Sequence, residues 1–212
     1  MNRKALVTWS IVILVIVGIS YWLYKEITKP LPGEFIGDMG REHVTDISEV
    51  KYNSNPPTSG PHFPIWAKPG VYNQLIADGY FIHSMEHGYI IIWYDCGGSI
   101  PVPTGTSDIK PLTKMTAVPT NTTSWITTET MPTEEVKLPE SFTSESCQNL
   151  VKELSEFTKA ADRIIITPRV GMETKIALTA WRRVQKLDSV DSEVITNFIK
   201  TYHNHGPEQT ME

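Results

Sequence analysis

The chain has 212 residues, with 19 basic and 24 acidic side chains and a formal net charge of −5. Without Arg3 and Lys4, which precede the first apolar run, 17 basic and 24 acidic residues remain, a net charge of −7. This acidic balance argues against a nucleic-acid partner, since phosphates select a basic protein face. The remaining length suits one ordinary domain with its own core.

The first predicted element is a membrane-spanning helix. Residues 5–24 carry no charge, and at about 1.5 Å per residue they cross a hydrocarbon core of roughly 30 Å. No small-residue cleavage site follows them, which favours a retained anchor at residues 1–24 over a cleaved signal peptide. A short basic N-terminus normally stays inside. We therefore predict a single-pass protein of the cell membrane with its N-terminus inside and its main domain extracytoplasmic.

A polar tether, residues 25–49, is predicted to connect this anchor to a domain at residues 50–208. Residues 50–70 contain five prolines, which exclude a helix interior and predict a rigid, extended loop. Residues 88–95, GYIIIWYD, are a β-branched and aromatic run of strand length.

Residues 97–146 differ in composition from the rest of the domain. They hold twelve threonines and six prolines without a helical period, which predicts an inserted surface segment that includes a sequon at Asn121. Cys96 and Cys147 flank the insertion, and in an oxidising compartment they are candidates for a disulfide. Two buried free thiols are the alternative.

The final third has regular periodicity. Residues 144–162 and 192–202 each place apolar side chains on one helical stripe. Residues 163–168, RIIITP, predict a short strand, and the alternating residues 175–185 predict one half-buried strand. The fold class is therefore predicted as α+β, a small mixed or antiparallel sheet with two C-terminal amphipathic helices, preceded by one transmembrane helix.

The segment HSMEH, residues 83–87, is the main candidate for chemistry. On a helix His83 and His87 share a face one turn apart, and on a strand they share a face with Met85, so either backbone brings the two imidazoles together. His62, held between prolines, offers a third. We predict a metal site of His62, His83 and His87, because three histidines suit zinc, and histidine with the thioether of Met85 suits copper.

Glu86 has two predicted roles in this segment. It would orient an imidazole without touching the metal, or it would act as a general base. The same five residues match H-x-x-E-H, the inverted zinc-protease motif, but that motif requires a helix, and Gly79 and Gly88 bracket a short segment. Two alternatives therefore stay open: a hydrolase that uses Glu86, and a structural or partner-binding envelope protein with a buried His/Glu network.

The remaining candidates have simpler explanations. A Ser-Gly-Pro turn accounts for Ser59, and the end of the last helix accounts for His203 and His205. His43 stands alone in the tether. Two aromatic residues are predicted to lie in the core or beside the site, Tyr72 and Trp181.

Four stretches, YNSNPPTSGPH (52–62), GVY (70–72), HSMEHGYIIIWYDC (83–96) and ALTAW (177–181), follow in this order. Together they resemble a family of membrane-anchored prokaryotic proteins grouped as a domain of unknown function, over residues 50–208 without the insertion. The family usually has Leu at the position of Met85, which leaves His62, His83, Glu86 and His87 as the matching positions. Its members often occur beside genes for copper handling, so the resemblance implies copper ahead of zinc.

Overall fold

The computed structural model describes residues 2–97, 125–126 and 138–208. The chain divides into two compact units, Met1–Leu31 and Pro32–Glu212, and each is described by itself. The first unit contains helix α1 (Arg3–Ile27), whose segment Val7–Ile27 has a mean hydropathy of 2.0. By length and composition this helix is compatible with a single membrane span or with a signal sequence.

The second unit is an α+β fold built on a mixed sheet of six strands. The strands of the second unit are β1 (Glu34–Phe35), β2 (Trp66–Ala67), β3 (Gly70–Val71), β4 (Ile90–Tyr94), β5 (Trp125–Ile126), β6 (Ile164–Pro168), β7 (Ile176–Ala180) and β8 (Arg183–Leu187). The order in the sheet is β1-β8-β7-β4-β6-β3, antiparallel from β1 to β4 and parallel from β4 to β3. Strands β2 and β5 pair separately, in parallel.

Helices cover both faces of this sheet. They are α2 (Asp78–Glu86), α3 (Glu145–Ser155) and α4 (Ser192–Tyr202), with short 3₁₀ turns at Glu140–Thr143 and Glu156–Lys159. Alternate residues of β4 belong to separate core clusters: Ile91 and Trp93 pack with α2, whereas Ile90 and Ile92 pack with α3 and α4. Because both faces are buried, the central strands are continuous apolar runs rather than alternating ones.

The predicted fold class is confirmed, and so are strands β4 and β6 and the two C-terminal helices. The prediction of one half-buried strand over residues 175–185 is wrong. The segment forms the antiparallel hairpin β7–β8, and all five residues of β7 are buried. Arg182 makes the turn at a φ of 61°, and its N–H donates to Thr58 O over 3.0 Å. Sheet pairing on both sides therefore fixes a turn that contains no glycine.

Residues 78–86 form a helix, although Gly79 and Gly88 indicated a segment too short for one. All nine residues of α2 are buried, so the helix has no polar face that would produce an amphipathic period. Gly79 is required by packing, since a Cβ there would overlap the ring of Phe63. The helical backbone directs Met85 into the core cluster that α2 shares with the sheet.

Cys96 and Cys147 form a disulfide whose Cα atoms lie 5.7 Å apart. The alternative of two free thiols is therefore wrong. Most of the Thr/Pro-rich insertion, including the sequon at Asn121, lies outside the described residues. Within the insertion the structure describes residue 97, the backbone of β5, which pairs with β2, and residues 138–146, which form a 3₁₀ turn and the start of α3.

Candidate metal centre

Four side chains with metal-ligating atoms converge beside the end of α2. They are His43, His62, His83 and Glu86, and one ligand atom from each lies within 4.8 Å of all the others. Two ligands that are each about 2.0–2.1 Å from one ion are at most about 4.2 Å apart. In a tetrahedral site with such bonds the ligand atoms lie about 3.4 Å from one another, so the widest pair would approach by about 1.4 Å for all four to share one ion.

Three separate elements of the chain place these side chains. His83 and Glu86 are three residues apart on α2, which puts them on neighbouring positions of one helix surface. His62 follows the proline-rich loop. A β-bridge joins it to His43, with His62 N–H donating to Glu42 O over 2.9 Å and Val44 N–H donating to His62 O over 2.8 Å. Residues 42–44 are thus held against the proline-rich loop at the site.

Backbone carbonyls fix the orientation of the two buried imidazoles. Nδ1 of His62 lies 2.8 Å from Gly60 O, and Nδ1 of His83 lies 2.6 Å from Phe63 O. A carbonyl oxygen only accepts, so each Nδ1 carries a proton and donates it. Each Nε2 is consequently the nitrogen that is directed into the cluster. Metal-ligating histidines are commonly held in this way, through a hydrogen bond from the opposite nitrogen.

A positive charge is needed between His62 and Glu86. Nε2 of His62 lies 3.0 Å from Glu86 Oε2. Without a proton or a metal ion between them, the two atoms would direct lone pairs at each other. Burial raises the pKa of Glu86, but the hydrogen bond with His62 and the charges of His62, His83 and Arg41 outweigh it and hold the pKa below its usual value. Glu86 is therefore a carboxylate at neutral pH, and a proton or a metal cation satisfies the pair.

His83 is a neutral imidazole at neutral pH. Burial, the largest influence, lowers its pKa from 6.5 to about 4, and the neighbouring histidines act in the same direction, against the hydrogen bond to Phe63. A neutral imidazole is the form that binds a metal. The site thus has a carboxylate and at least one unprotonated nitrogen available under physiological conditions.

Only one side of the cluster contacts solvent directly. His62, His83 and Glu86 are at most 4% exposed, whereas the side chain of His43 is 47% exposed. Arg41, at 52% side-chain exposure, lies beside His43 with its Nη1 3.5 Å from Glu86 Oε1. An ion held here would be reachable from solvent on the His43 side.

The structure brings together three of the four residues that the sequence singled out, His62, His83 and Glu86. His87 lies outside the group of four, and its ring packs on His83 at a centroid distance of 4.8 Å and on Trp66 at 5.0 Å. Glu86, predicted to support an imidazole or to act as a base, is itself one of the four residues whose ligand atoms converge. His43 was missed, because its partner His62 is remote in sequence and nothing in the tether indicates the bridge.

The remaining candidates, including the possible thioether ligand Met85, lie outside this group of four residues. The hydroxyl of Ser59 accepts from Met39 N–H over 3.1 Å, and Met85 lies in the apolar core, away from the cluster. His203 pairs with Asp162 at 2.7 Å, and His205 lies 2.7 Å from Thr201 O. Trp181 packs against the core, with its ring 6.4 Å from that of His62.

Acid should unfold the metal-free protein through His83. The unfolded residue takes up a proton near pH 6.5 and the folded residue only near pH 4, so between these values the unfolded state binds more protons. The free energy of unfolding is expected to fall by about 3 kcal/mol as the pH falls through this window. Glu86, with its lowered pKa, acts in the same direction below its unfolded value. Urea denaturation between pH 7 and pH 4, with chelator present, measures this change.

A His83→Asn variant is the control for this pH dependence, because the asparagine amide nitrogen takes the place of Nδ1 as the donor for Phe63 O and does not titrate. Its unfolding free energy should vary less between pH 6.5 and pH 4 than that of the unchanged chain. Equal pH dependence in both proteins would assign the effect to other groups.

These features define a class of protein: an α+β domain with a buried His/Glu cluster that opens to solvent at one edge. The chain belongs to the family described as "Protein of unknown function (DUF3105)", which it matches over residues 43–137 and 141–212. The matched region begins at His43, so it contains all four residues of the cluster. No curated protein and no solved structure matches the chain.

Proposed function

We propose that this domain binds one divalent transition-metal ion through His43, His62, His83 and Glu86. The observation that carries the proposal is the convergence of four ligand atoms within 4.8 Å. The two buried imidazoles support it, because each is locked by a backbone carbonyl with Nε2 directed inward. The exposed side at His43 leaves room for an exogenous ligand on the ion.

Copper, ahead of zinc, is the ion that we propose. Three imidazole nitrogens and one carboxylate oxygen suit either metal, and at a site of nitrogen and oxygen ligands Cu²⁺ binds more tightly than Zn²⁺. Met85 lies in the core, so the cluster has no thioether to favour Cu⁺. The copper state that fits this donor set is therefore Cu²⁺.

We further propose that the site lies outside the cell membrane. In this arrangement residues 1–24 are the anchor, residues 25–49 the tether, and residues 50–208 the extracytoplasmic domain with its insertion at 97–146. Support comes from the apolar helix α1, from the basic residues Arg3 and Lys4 at its N-terminal end, and from the disulfide. The tether would then also supply a ligand, His43.

A hydrolase that uses Glu86 as its general base has weaker support. The helix supplies the context that H-x-x-E-H requires, yet Glu86 is engaged by His62 and Arg41 rather than held free beside a water site. Its pKa is held below the usual carboxyl value, whereas an effective general base has a pKa near the working pH. Metal binding without hydrolysis is therefore the better-supported function.

Metal analysis of the full-length chain in detergent tests the proposal. The protein, purified without a metal-binding tag, is expected to take up about one Cu²⁺ per chain, and more tightly than it takes up Zn²⁺. Electron paramagnetic resonance of the copper form should show nitrogen coupling from imidazoles. A protein that binds neither ion stoichiometrically, with the cluster intact by NMR, would instead support a structural hydrogen-bonded network.

A further inference from the structure

The C-terminal end of helix α2 is buried, and this creates a hydrogen-bonding requirement. The last carbonyls of any helix lack partners within the helix, and burial removes water as a substitute. Here the residues concerned follow directly on the proposed ligands, because Glu86 is the last residue of α2 and His87 its C-cap. Glu86 and His87 are only 2% and 4% exposed.

Two other parts of the chain meet this requirement. Glu86 O accepts from the N–H of Glu208 over 3.0 Å, and Gly88 O accepts from the N–H of Asn204 over 2.9 Å. Between these two carbonyls, His87 O accepts from Arg163 Nη1 over 2.7 Å. The segment Asn204–Glu208, which follows helix α4, thus supplies two of the three donors. We call this segment the clasp.

Gly206 marks the closest approach of the clasp to α2. A Cβ at this position would overlap the carbonyl oxygen of Glu86 and the backbone nitrogen of Gly88. The atoms it would meet are backbone atoms, which cannot rotate away as a side chain would. The φ of Gly206 lies outside the left-handed region, so the exclusion of a side chain is purely steric.

We propose that the clasp is a positioning element of the metal centre, with Gly206 as its critical residue. This inference rests on the proposed function, since it concerns the same cluster. The carbonyl that the clasp holds belongs to Glu86, whose carboxylate lies 3.0 Å from His62 Nε2. A displacement of this backbone moves the carboxylate away from His62 and opens the cluster. Neither Gly206 nor Glu208 touches the ion in this arrangement.

The first test compares Gly206→Ala with Gly37→Ala in the full-length chain in detergent. A Cβ at Gly37 would meet its nearest atom at an ordinary 3.6 Å, so this variant controls for the substitution itself. Gly206→Ala is expected to weaken Cu²⁺ binding about 10–100-fold, the usual effect of losing a group that orients a ligand. Gly37→Ala should bind as the unchanged chain does. Binding is measured at a temperature where circular dichroism shows each variant folded.

A second pair of variants tests the hydrogen bond from Glu208 to Glu86 O by itself. It also keeps the proposal testable if Gly206→Ala fails to fold. Glu208→Pro removes the N–H that donates to Glu86 O, whereas Glu208→Ala removes only the side chain. Weaker copper binding in the proline variant alone would support the proposal. Equal copper affinity in both variants, or in Gly206→Ala and the unchanged chain, would overturn it.

A readout without metal separates this inference from the proposed function. The imidazole ¹⁵N signals of His62 and His83 report the His62–Glu86 contact and the protonated nitrogen in the metal-free protein. They should shift in Gly206→Ala and Glu208→Pro and stay in place in the two control variants. If the signals shift in the variants while the unchanged chain binds no copper, the clasp still positions the cluster and the metal site is refuted. Unshifted signals together with a lowered melting temperature would make the clasp a stabilising contact only.

Discussion

Replacement of His62 by alanine is expected to weaken Cu²⁺ binding by more than about 100-fold, since loss of an outer partner alone costs about 10–100-fold. His62 is fully buried, its Nε2 is directed at Glu86, and its ring lies within 5.0 Å of both His43 and His83. Its loss removes a ligand and leaves the Glu86 carboxylate without its hydrogen-bond partner. Competition titrations with a chelator of known copper affinity, on the full-length chain, give the change in Kd.

Variants of three further histidines make this experiment specific. His43→Ala should also weaken copper binding, whereas His87→Ala should weaken it less, because His87 lies outside the group of four. His203→Ala is the matched control, since His203 pairs with Asp162 and belongs to no such group. Stoichiometric copper retained by His62→Ala at unchanged affinity would contradict the metal site. If copper affinity falls more in His87→Ala than in His43→Ala, the result would favour the ligand set predicted from the sequence, which includes His87 and not His43.

The sequence predicts an element well where its residues carry their own periodicity. The apolar stripes of α3 and α4 do so, whereas β4 and β6 are recognisable as short, continuous β-branched runs of strand length. Helix α2 carries no such signal, because packing buries all its residues and leaves no polar face. The hairpin turn at Arg182 also has no signal in the sequence, because it contains no glycine. Backbone hydrogen bonds of Arg182 with Thr58 and Ile36 fix the turn.

The same distinction between local sequence signals and long-range pairing applies to the candidate metal site. His83 and Glu86 lie within one five-residue segment, HSMEH, so both could be identified as candidates without the fold. His62 was noticeable because prolines flank it. His43 joins the cluster through a β-bridge to a residue 19 positions away, and its own neighbours in sequence give no sign of this. A ligand supplied by long-range pairing is the kind that local patterns miss.

Reduction of the Cys96–Cys147 disulfide is expected to lower the free energy of unfolding by about 4 kcal/mol, because opening a loop of this length increases the conformational entropy of the unfolded chain. The sequence separation is 51 residues, and the bond joins the end of β4 to the first turn of α3. Cys147 also packs in the apolar cluster on that face of the sheet. Urea denaturation with and without a reductant gives the difference.

The double variant Cys96→Ser, Cys147→Ser is the control for this measurement. Its free energy of unfolding should already be lower without the reductant and should not change when the reductant is added. Protein taken directly from cells and denatured in a thiol-trapping reagent should label at neither cysteine, because the proposed location is an oxidising compartment. Two labelled thiols would place the domain on the reducing side of the membrane. That result would contradict the proposed extracytoplasmic location without deciding whether the cluster binds a metal.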